Sequence, residues 1–252
     1  MTRPARGRRA SAPGRNGGPG DSVDWRLYLV TDPHLGGGRD AVPDIVFRAV
    51  LGGVGVVQFR DKECGRDECG RDECDDDEFA SRAAAVADAA RRAGAQVGRD
   101  VPVFVNDRLD VARELGLHLH VGHRDVPFAR ARAELPAHLM LGLSIESDDQ
   151  LEVASAGPGP APDVIGVSPV WATTTKTDTA AELGPEGADR IARAAHLVGV
   201  PAVGIGGISS ANVGLLAGTA LDGVCVVSAV MTANDPRAAA ADLLTRWDRA
   251  HR

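Results

Sequence analysis

From Trp25 onward the chain alternates, eight times over, between a short apolar run and a longer Ala- and Arg-rich stretch. The apolar runs cover 26–31, 55–60, 101–106, 117–121, 139–144, 164–170, 202–208 and 224–228. The intervening stretches, read as helices, cover 41–51, 77–93, 108–115, 128–135 (the weakest), 147–156, 184–197, 209–217 and 236–249. The runs are nearly continuous in Val, Ile and Leu, the pattern of parallel strands buried on both faces. Eight strand–helix units in about 225 residues predict an α/β chain folded as one compact (β/α)8 TIM barrel. An open doubly wound sheet is the rival architecture. The run Gly204-Ile205-Gly206-Gly207 has some likeness to a dinucleotide fingerprint, but it falls in the seventh unit and lacks the third glycine.

The organisation around this domain is simple. Residues 1–22 are rich in Arg, Gly, Pro, Ala and Ser with no apolar core, so they are expected to be a disordered basic tail rather than a secretory signal. Residues 23–252 form the expected barrel domain. A net charge of −7 and a pI near 5.5 argue against a nucleic-acid binder. No apolar run is long enough for a membrane span. Small molecules are therefore the expected partners, in a reducing cytoplasm where the four cysteines need not pair. A homo-oligomer is compatible with the sequence. Between residues 63 and 78 the unit Cys-Gly-Arg-Asp-Glu occurs twice, with a third, broken copy from Cys74. The spacing of Cys64, Cys69 and Cys74 does not suit a zinc site, and a repeat-expanded acidic loop explains it better.

Only two lysines are present, against 28 basic residues of the Lys and Arg type. Lys62 closes the run Gln58-Phe59-Arg60-Asp61-Lys62, and Lys176 closes Thr173-Thr174-Thr175-Lys176. A lysine retained in an arginine-rich chain suggests a task for a compact ammonium, such as reaching into a phosphate site. In a TIM barrel the functional mouth lies at the C-terminal ends of the strands. There the sequence sets Gln58, Arg60 and Lys62 after strand two, Asn106 and Asp107 after strand three, and Asp125 after strand four. Ser144 follows on strand five, Thr173 to Lys176 after strand six, Gly206 and Gly207 after strand seven, and Ser228 after strand eight.

Asp107 and Asp125 follow consecutive strands, whose spacing of about 4.8 Å allows two carboxylates to share one ion. Two carboxylates, water and a substrate phosphate suit Mg2+. Alternatively, Asp107 caps a helix and Asp125 sits in a turn. The glycines before Ile208 and the helix starts expected after strands seven and eight suggest a second phosphate grip, unless the glycines serve packing alone. Two anion sites in one mouth imply two substrates, one with a diphosphate leaving group and one with a monophosphate. No Ser–His–Asp arrangement is evident. His118 and His120 share a face of strand four, and His123 stands beside Asp125.

The ordered motifs 58–62, 105–108, 120–125, 142–144, 173–176, 204–208 and 227–228, with the opening Tyr28-Leu-Val-Thr-Asp32, resemble the thiamine-phosphate synthase family. The resemblance implies condensation of 4-amino-2-methyl-5-(diphosphomethyl)pyrimidine with a thiazole monophosphate, giving thiamine phosphate and pyrophosphate. With a carboxylated thiazole, CO2 leaves as well. It implies that Gln58, Arg60, Lys62, Asn106, Ser144 and Lys176 hold the pyrimidine diphosphate, with Phe59 and Asp61 of the same loop counted among the substrate-binding residues. Arg60, Lys62, Ser144 and Lys176 are then the candidate catalytic residues. Asp107 and Asp125 would bind Mg2+, and Thr173, Thr174, Thr175, Gly207, Val227 and Ser228 would hold the thiazole phosphate. Against the family pattern, His123 and Arg124 replace a Gln-Glu pair and Ala172 replaces a proline. The competing readings are a thiazole tautomerase-like paralogue, another phosphate-binding barrel, and a non-catalytic thiazole phosphate-binding protein.

Overall fold

A computed structural model describes residues 20, 22–62, 76–156, 159–173 and 181–251. The basic tail up to residue 19, the cysteine repeat through Asp75 and the Thr174–Lys176 stretch lie outside the described residues. Eight parallel strands close into a barrel in chain order. They are β1 (Leu27–Val30), β2 (Val56–Phe59), β3 (Val103–Asn106), β4 (His118–Val121), β5 (Leu141–Ile145), β6 (Val164–Val167), β7 (Ala202–Ile205) and β8 (Gly223–Val226). The helices are α1 (Val42–Leu51), α2 (Asp76–Val97), α3 (Leu109–Leu115), α4 (Phe128–Glu134), α5 (Asp148–Ala156), α6 (Gly184–Leu197), α7 (Ser228–Met231) and α8 (Pro236–Ala250).

The strands' continuous apolar character now has a cause. Successive side chains point to opposite faces, and both faces are covered. On β1, Leu27 and Leu29 join the layer between sheet and helices, while Tyr28 and Val30 point into the barrel. The barrel interior is filled by Tyr28, Val56, Phe104, Met140, Val164, Val203 and Cys225, with Trp25 closing the lower end. Tyr28 and Phe104 meet at 5.8 Å between ring centroids, and Trp25 lies 6.2 Å from each. His118 completes this lower layer, its ring 5.0 Å from Phe104 and its Nδ1 accepting the Met140 N–H at 3.0 Å. Burial pushes the His118 pKa down to about 4, so the ring is neutral. Cys225 is the small buried residue expected, and burial pushes its thiol up.

Two expectations need correction. The stretch 209–217 is not an α-helix; its only helical piece is a 3-10 turn at Val213–Leu216. The Asn212 carboxamide accepts the Ser209 N–H at 2.8 Å and donates to the Gly207 carbonyl at 2.8 Å. Such side-chain bonds offer the backbone an alternative to helix, and Gly214 and Gly218 weaken the helix further. The acidic residues 76–78, expected in the repeat loop, form the first turn of α2, where carboxylates favour a helix start.

The β1–β8 seam closes the barrel, with Leu27 opposite Val224 and Tyr28 opposite Cys225. At its lower end Gly223 lies so close to Trp25 that a Cβ would be driven into the Trp25 carbonyl. Gly223→Ala is therefore expected to cost about 2–4 kcal/mol, because backbone rather than a side chain must yield. Gly214→Ala, which meets nothing within 4 Å, is the control. Urea unfolding of the two variants checks this, and a wild-type midpoint for Gly223→Ala would refute the seam argument.

Candidate active site

Strand alternation continues past the end of β2 and sorts the first loop. Gln58, Arg60 and Lys62 line the mouth, while Phe59 and Asp61 face the helix layer. Phe59 packs edge-on against Phe79 of α2 at 5.0 Å. The mouth contains about 1110 Å3 of empty space, open solvent included, which suits two small substrates. Gln58 is buried, and its Nε2 donates to the Tyr28 hydroxyl at 3.2 Å. Arg60 is fixed by its backbone: its N–H donates to Thr31 Oγ1 at 3.0 Å, and the Thr31 hydroxyl donates to its carbonyl at 3.3 Å.

At the ends of β3 and β4 the chain brings two carboxyl groups together. Asn106 pairs with His120, and the Asp107 N–H extends the ladder to the His120 carbonyl at 2.9 Å. The chain then turns sharply, with Asp107 at φ 65° and the Arg108 N–H donating to the Asn106 carbonyl at 2.8 Å. This three-residue turn is a strained form, and Asp107 is the only non-glycine residue among those described with positive φ. Arg108 braces the turn, with its guanidinium 4.9 Å from the Phe79 ring centroid and paired with Asp76. Asp125 is held by its own loop, where Oδ2 accepts the Gly122 N–H at 2.6 Å.

The Asp107 and Asp125 carboxyls stand close enough to shift each other's ionisation. Burial, then the neighbouring Asp125, pushes Asp107 up to about 7, against the pull of Lys62 and Arg60. Burial also pushes Asp125 upward, but Asp107 and the bond from Gly122, with the charge on Lys62, outweigh it and leave its pKa lowered. Two carboxyl groups this close disfavour double ionisation, and Asp107 is the one pushed toward the protonated form despite the nearby cations. Lys62 Nζ stands 3.6 Å from Asp107 Oδ2, half exposed and loosely paired. Among the described residues no group of three or more His, Cys, Asp or Glu could enclose a metal. The pair's donor chemistry nonetheless fits Mg2+, which takes one or two carboxylates and leaves its other positions to water and phosphate.

Around the rest of the mouth stand Ser144, Thr173, Gly207, Val227 and Ser228. His120 Nε2 and Ser144 Oγ are 3.1 Å apart. Gly206 and Gly207 have φ 111° and 60°. A Cβ would come within 2.9 Å of Pro169 Cα at the first and 2.7 Å of the Ala172 carbonyl oxygen at the second. They are packing devices against the loop after β6 and also border the cavity. No helix starts after Ile208, which corrects half of the expected phosphate grip. A short helix does start at Ser228, with the Val230 and Met231 N–H groups already donating to the Val227 carbonyl.

The structure thus gathers Gln58, Arg60, Lys62, Asn106, Asp107, Asp125, Ser144, Thr173, Gly207, Val227 and Ser228 around one cavity. Phe59 and Asp61, expected among the substrate-binding residues, instead lie behind its wall, because the pleat turns them toward the helix layer. Thr174, Thr175 and Lys176 are outside the described residues. The residue-by-residue reading missed Tyr28, Val30, Ser168, Ile205 and Cys225 in the lining, and Thr31 behind Arg60. Strand alternation could have found Tyr28 and Val30, since they share a face and β1 runs to the same mouth.

Residues 27–230 match the family model described as thiamine monophosphate synthase. The chain is 45% identical over 234 residues to the thiamine biosynthesis multifunctional protein ThiED of Corynebacterium efficiens, covering 91% of this chain and 30% of that protein. Against the thiamine-phosphate synthase of Chloroflexus aurantiacus it is 39% identical over 223 residues, covering 88% and 92%. The solved thiamine phosphate pyrophosphorylase from Pyrococcus furiosus superposes with a TM-score of 0.73 at 27% identity, covering 90% and 98%. The chain therefore spans less than a third of the multifunctional relative and nearly all of the shorter one.

Proposed function

The chain belongs to the thiamine monophosphate synthase family, and from that premise we propose that it is a transferase condensing 4-amino-2-methyl-5-(diphosphomethyl)pyrimidine with a thiazole monophosphate. The products are thiamine phosphate and pyrophosphate, with CO2 when the thiazole is carboxylated. The observation that supports this is the meeting of two groups of polar residues in one mouth. Arg60 and Lys62 stand with Asp107 and Asp125 on the β2–β4 arc, and Gly207, Val227 and Ser228 stand on the β7–β8 arc.

On this reading Gln58, Arg60, Lys62, Asn106, Ser144 and Lys176 hold the pyrimidine diphosphate. Thr173, Thr174, Thr175, Gly207, Val227 and Ser228 hold the thiazole phosphate. Asp107 and Asp125 hold Mg2+, which when bound neutralises charge on the departing pyrophosphate. Departure from the electron-rich aminopyrimidine methylene leaves a stabilised cation that the thiazole nitrogen captures. Such a step needs positioning and charge, not a general-base triad. Arg60 and Lys62 supply positive charge, and Val30, Val203 and Ile205 give the mouth an apolar stretch of lining. Among the described residues no helix is long and apolar enough to cross a membrane.

Pyrophosphate release by the purified protein, with both substrates and with or without Mg2+, tests this reading. Release that needs both substrates and the metal is expected. Absence of release with thiazole phosphate still bound would point to a tautomerase-like or purely binding protein, in which the carboxylate pair goes unused. The raised Asp107 pKa gives a second expected result. Below about pH 7 Asp107 holds a proton that Mg2+ must displace, and above it the pair is ionised. Mg2+ affinity should therefore fall as pH drops through 7, with up to one proton released per ion. Calorimetry at pH 6.0 and 8.0 in buffers of different ionisation enthalpy measures this. Binding with no proton release at pH 6.0 would exclude the pair as the ligand.

A further inference from the structure

Asp61 stands between Arg60 and Lys62 and points away from both. Its side chain is 1% exposed, and Oδ2 takes two guanidinium groups. Arg39, from the 3-10 turn Arg39–Ala41 after β1, donates from Nε at 3.1 Å. Arg82, from the second turn of α2, donates at 3.4 Å and is itself paired with Glu78. We infer that Asp61 is a positioning residue for the diphosphate site, holding Arg60 and Lys62 in line by tying their loop to the β1–α1 connection and to α2. The inference rests on the function proposed above.

The argument is one of geometry and sign. β2 ends at Phe59, so no strand partner keeps Asp61 and Lys62 in alternation. The Thr31 hydroxyl fixes the backbone of Arg60 on one side, and Asp61 is the next fixed point. Lys62 follows directly, and its ammonium reaches Asp107 only if the loop leaves β2 in this direction. A carboxylate facing the cavity would repel a diphosphate. Turned outward, it draws two cations against the back of the wall formed by Arg60, which borders both the mouth and the cavity behind it. Arg39 and Arg82 are 34% and 25% exposed, so each can turn to water if the carboxylate is lost. Loss of Asp61 should therefore loosen the loop without unfolding the barrel.

The test compares wild type, Asp61→Asn, Arg39→Ala, Arg82→Ala and the Arg39→Ala/Arg82→Ala double variant. Each is assayed for KM of both substrates and for binding of inorganic pyrophosphate with Mg2+. Asp61→Asn should raise the diphosphate KM and weaken pyrophosphate binding by about tenfold or more while the thiazole phosphate KM stays within about twofold. The double variant should match Asp61→Asn rather than the product of the single effects. Asp61→Asn with wild-type pyrophosphate affinity, or with both KM values raised together, overturns the inference. If Asp61→Asn does not fold, the arginine variants decide on the same readouts. Failure of the underlying function would appear in the wild type itself, as absent turnover, whereas failure of this inference appears between variants.

Discussion

Asp107→Ala is expected to lower kcat by roughly 10²–10³-fold at saturating substrates, the scale of losing one electrostatic contact to the leaving group. The loss should be accompanied by a shift of the Mg2+ dependence to higher concentration. Three properties of the site set this size. The carboxyl is mostly buried and close to Asp125, so deletion removes half of a two-carboxylate set. Its removal also takes away the carboxylate 3.6 Å from the Lys62 ammonium. Its backbone has φ 65°, which alanine adopts at a cost. Asp107→Asn separates these effects, because asparagine tolerates positive φ and keeps the side-chain shape. The Asn variant should melt like wild type and still lose most of its turnover. Near-normal kcat in both variants at limiting Mg2+ would remove Asp107 from the metal site.

The barrel was legible because its signal is local and repeated. Each strand is a short run buried on both faces, and each helix follows at a short interval, so eight units reinforce one another. The stretch 209–217 was misread because its apolar spacing suits a helix, whereas Asn212 bonds backwards to Gly207 and Ser209. The candidate site was legible at the strand ends and illegible where a side chain matters only through its contact with another element. Phe59 and Asp61 belong to the same motif as Gln58, Arg60 and Lys62, and only the direction of the pleat separates wall from lining. Thr31 has no motif of its own; it matters because β1 pairs with β2 and brings its hydroxyl to Arg60. The closeness of Asp107 and Asp125 followed from strand adjacency. The upward shift of Asp107 depends on burial, and its placement on a turn with positive φ, neither of which spacing reveals.

Lys62 carries the second large effect, and its replacement by arginine is more informative than its deletion. Lys62→Ala is expected to lower kcat/KM for the diphosphate substrate by about 10²-fold or more, through loss of one cation at the leaving group. Lys62→Arg keeps the charge, yet it should recover little. The native ammonium lies 3.6 Å from Asp107, a distance at which it holds the carboxylate weakly and can turn to an incoming phosphate. A guanidinium would bind the carboxylate pair through two parallel N–H bonds and keep it from the metal. It would satisfy the shared charge of Asp107 and Asp125 in the free protein, so the substrate would have to break that arrangement. The arginine variant should therefore show weakened Mg2+ binding, which the alanine variant does not share. Measuring Mg2+ affinity and kcat/KM for both variants decides between these cases. Wild-type rates in Lys62→Arg would mean that any cation suffices at this position, and that the retention of lysine in an arginine-rich chain reflects something other than the reaction.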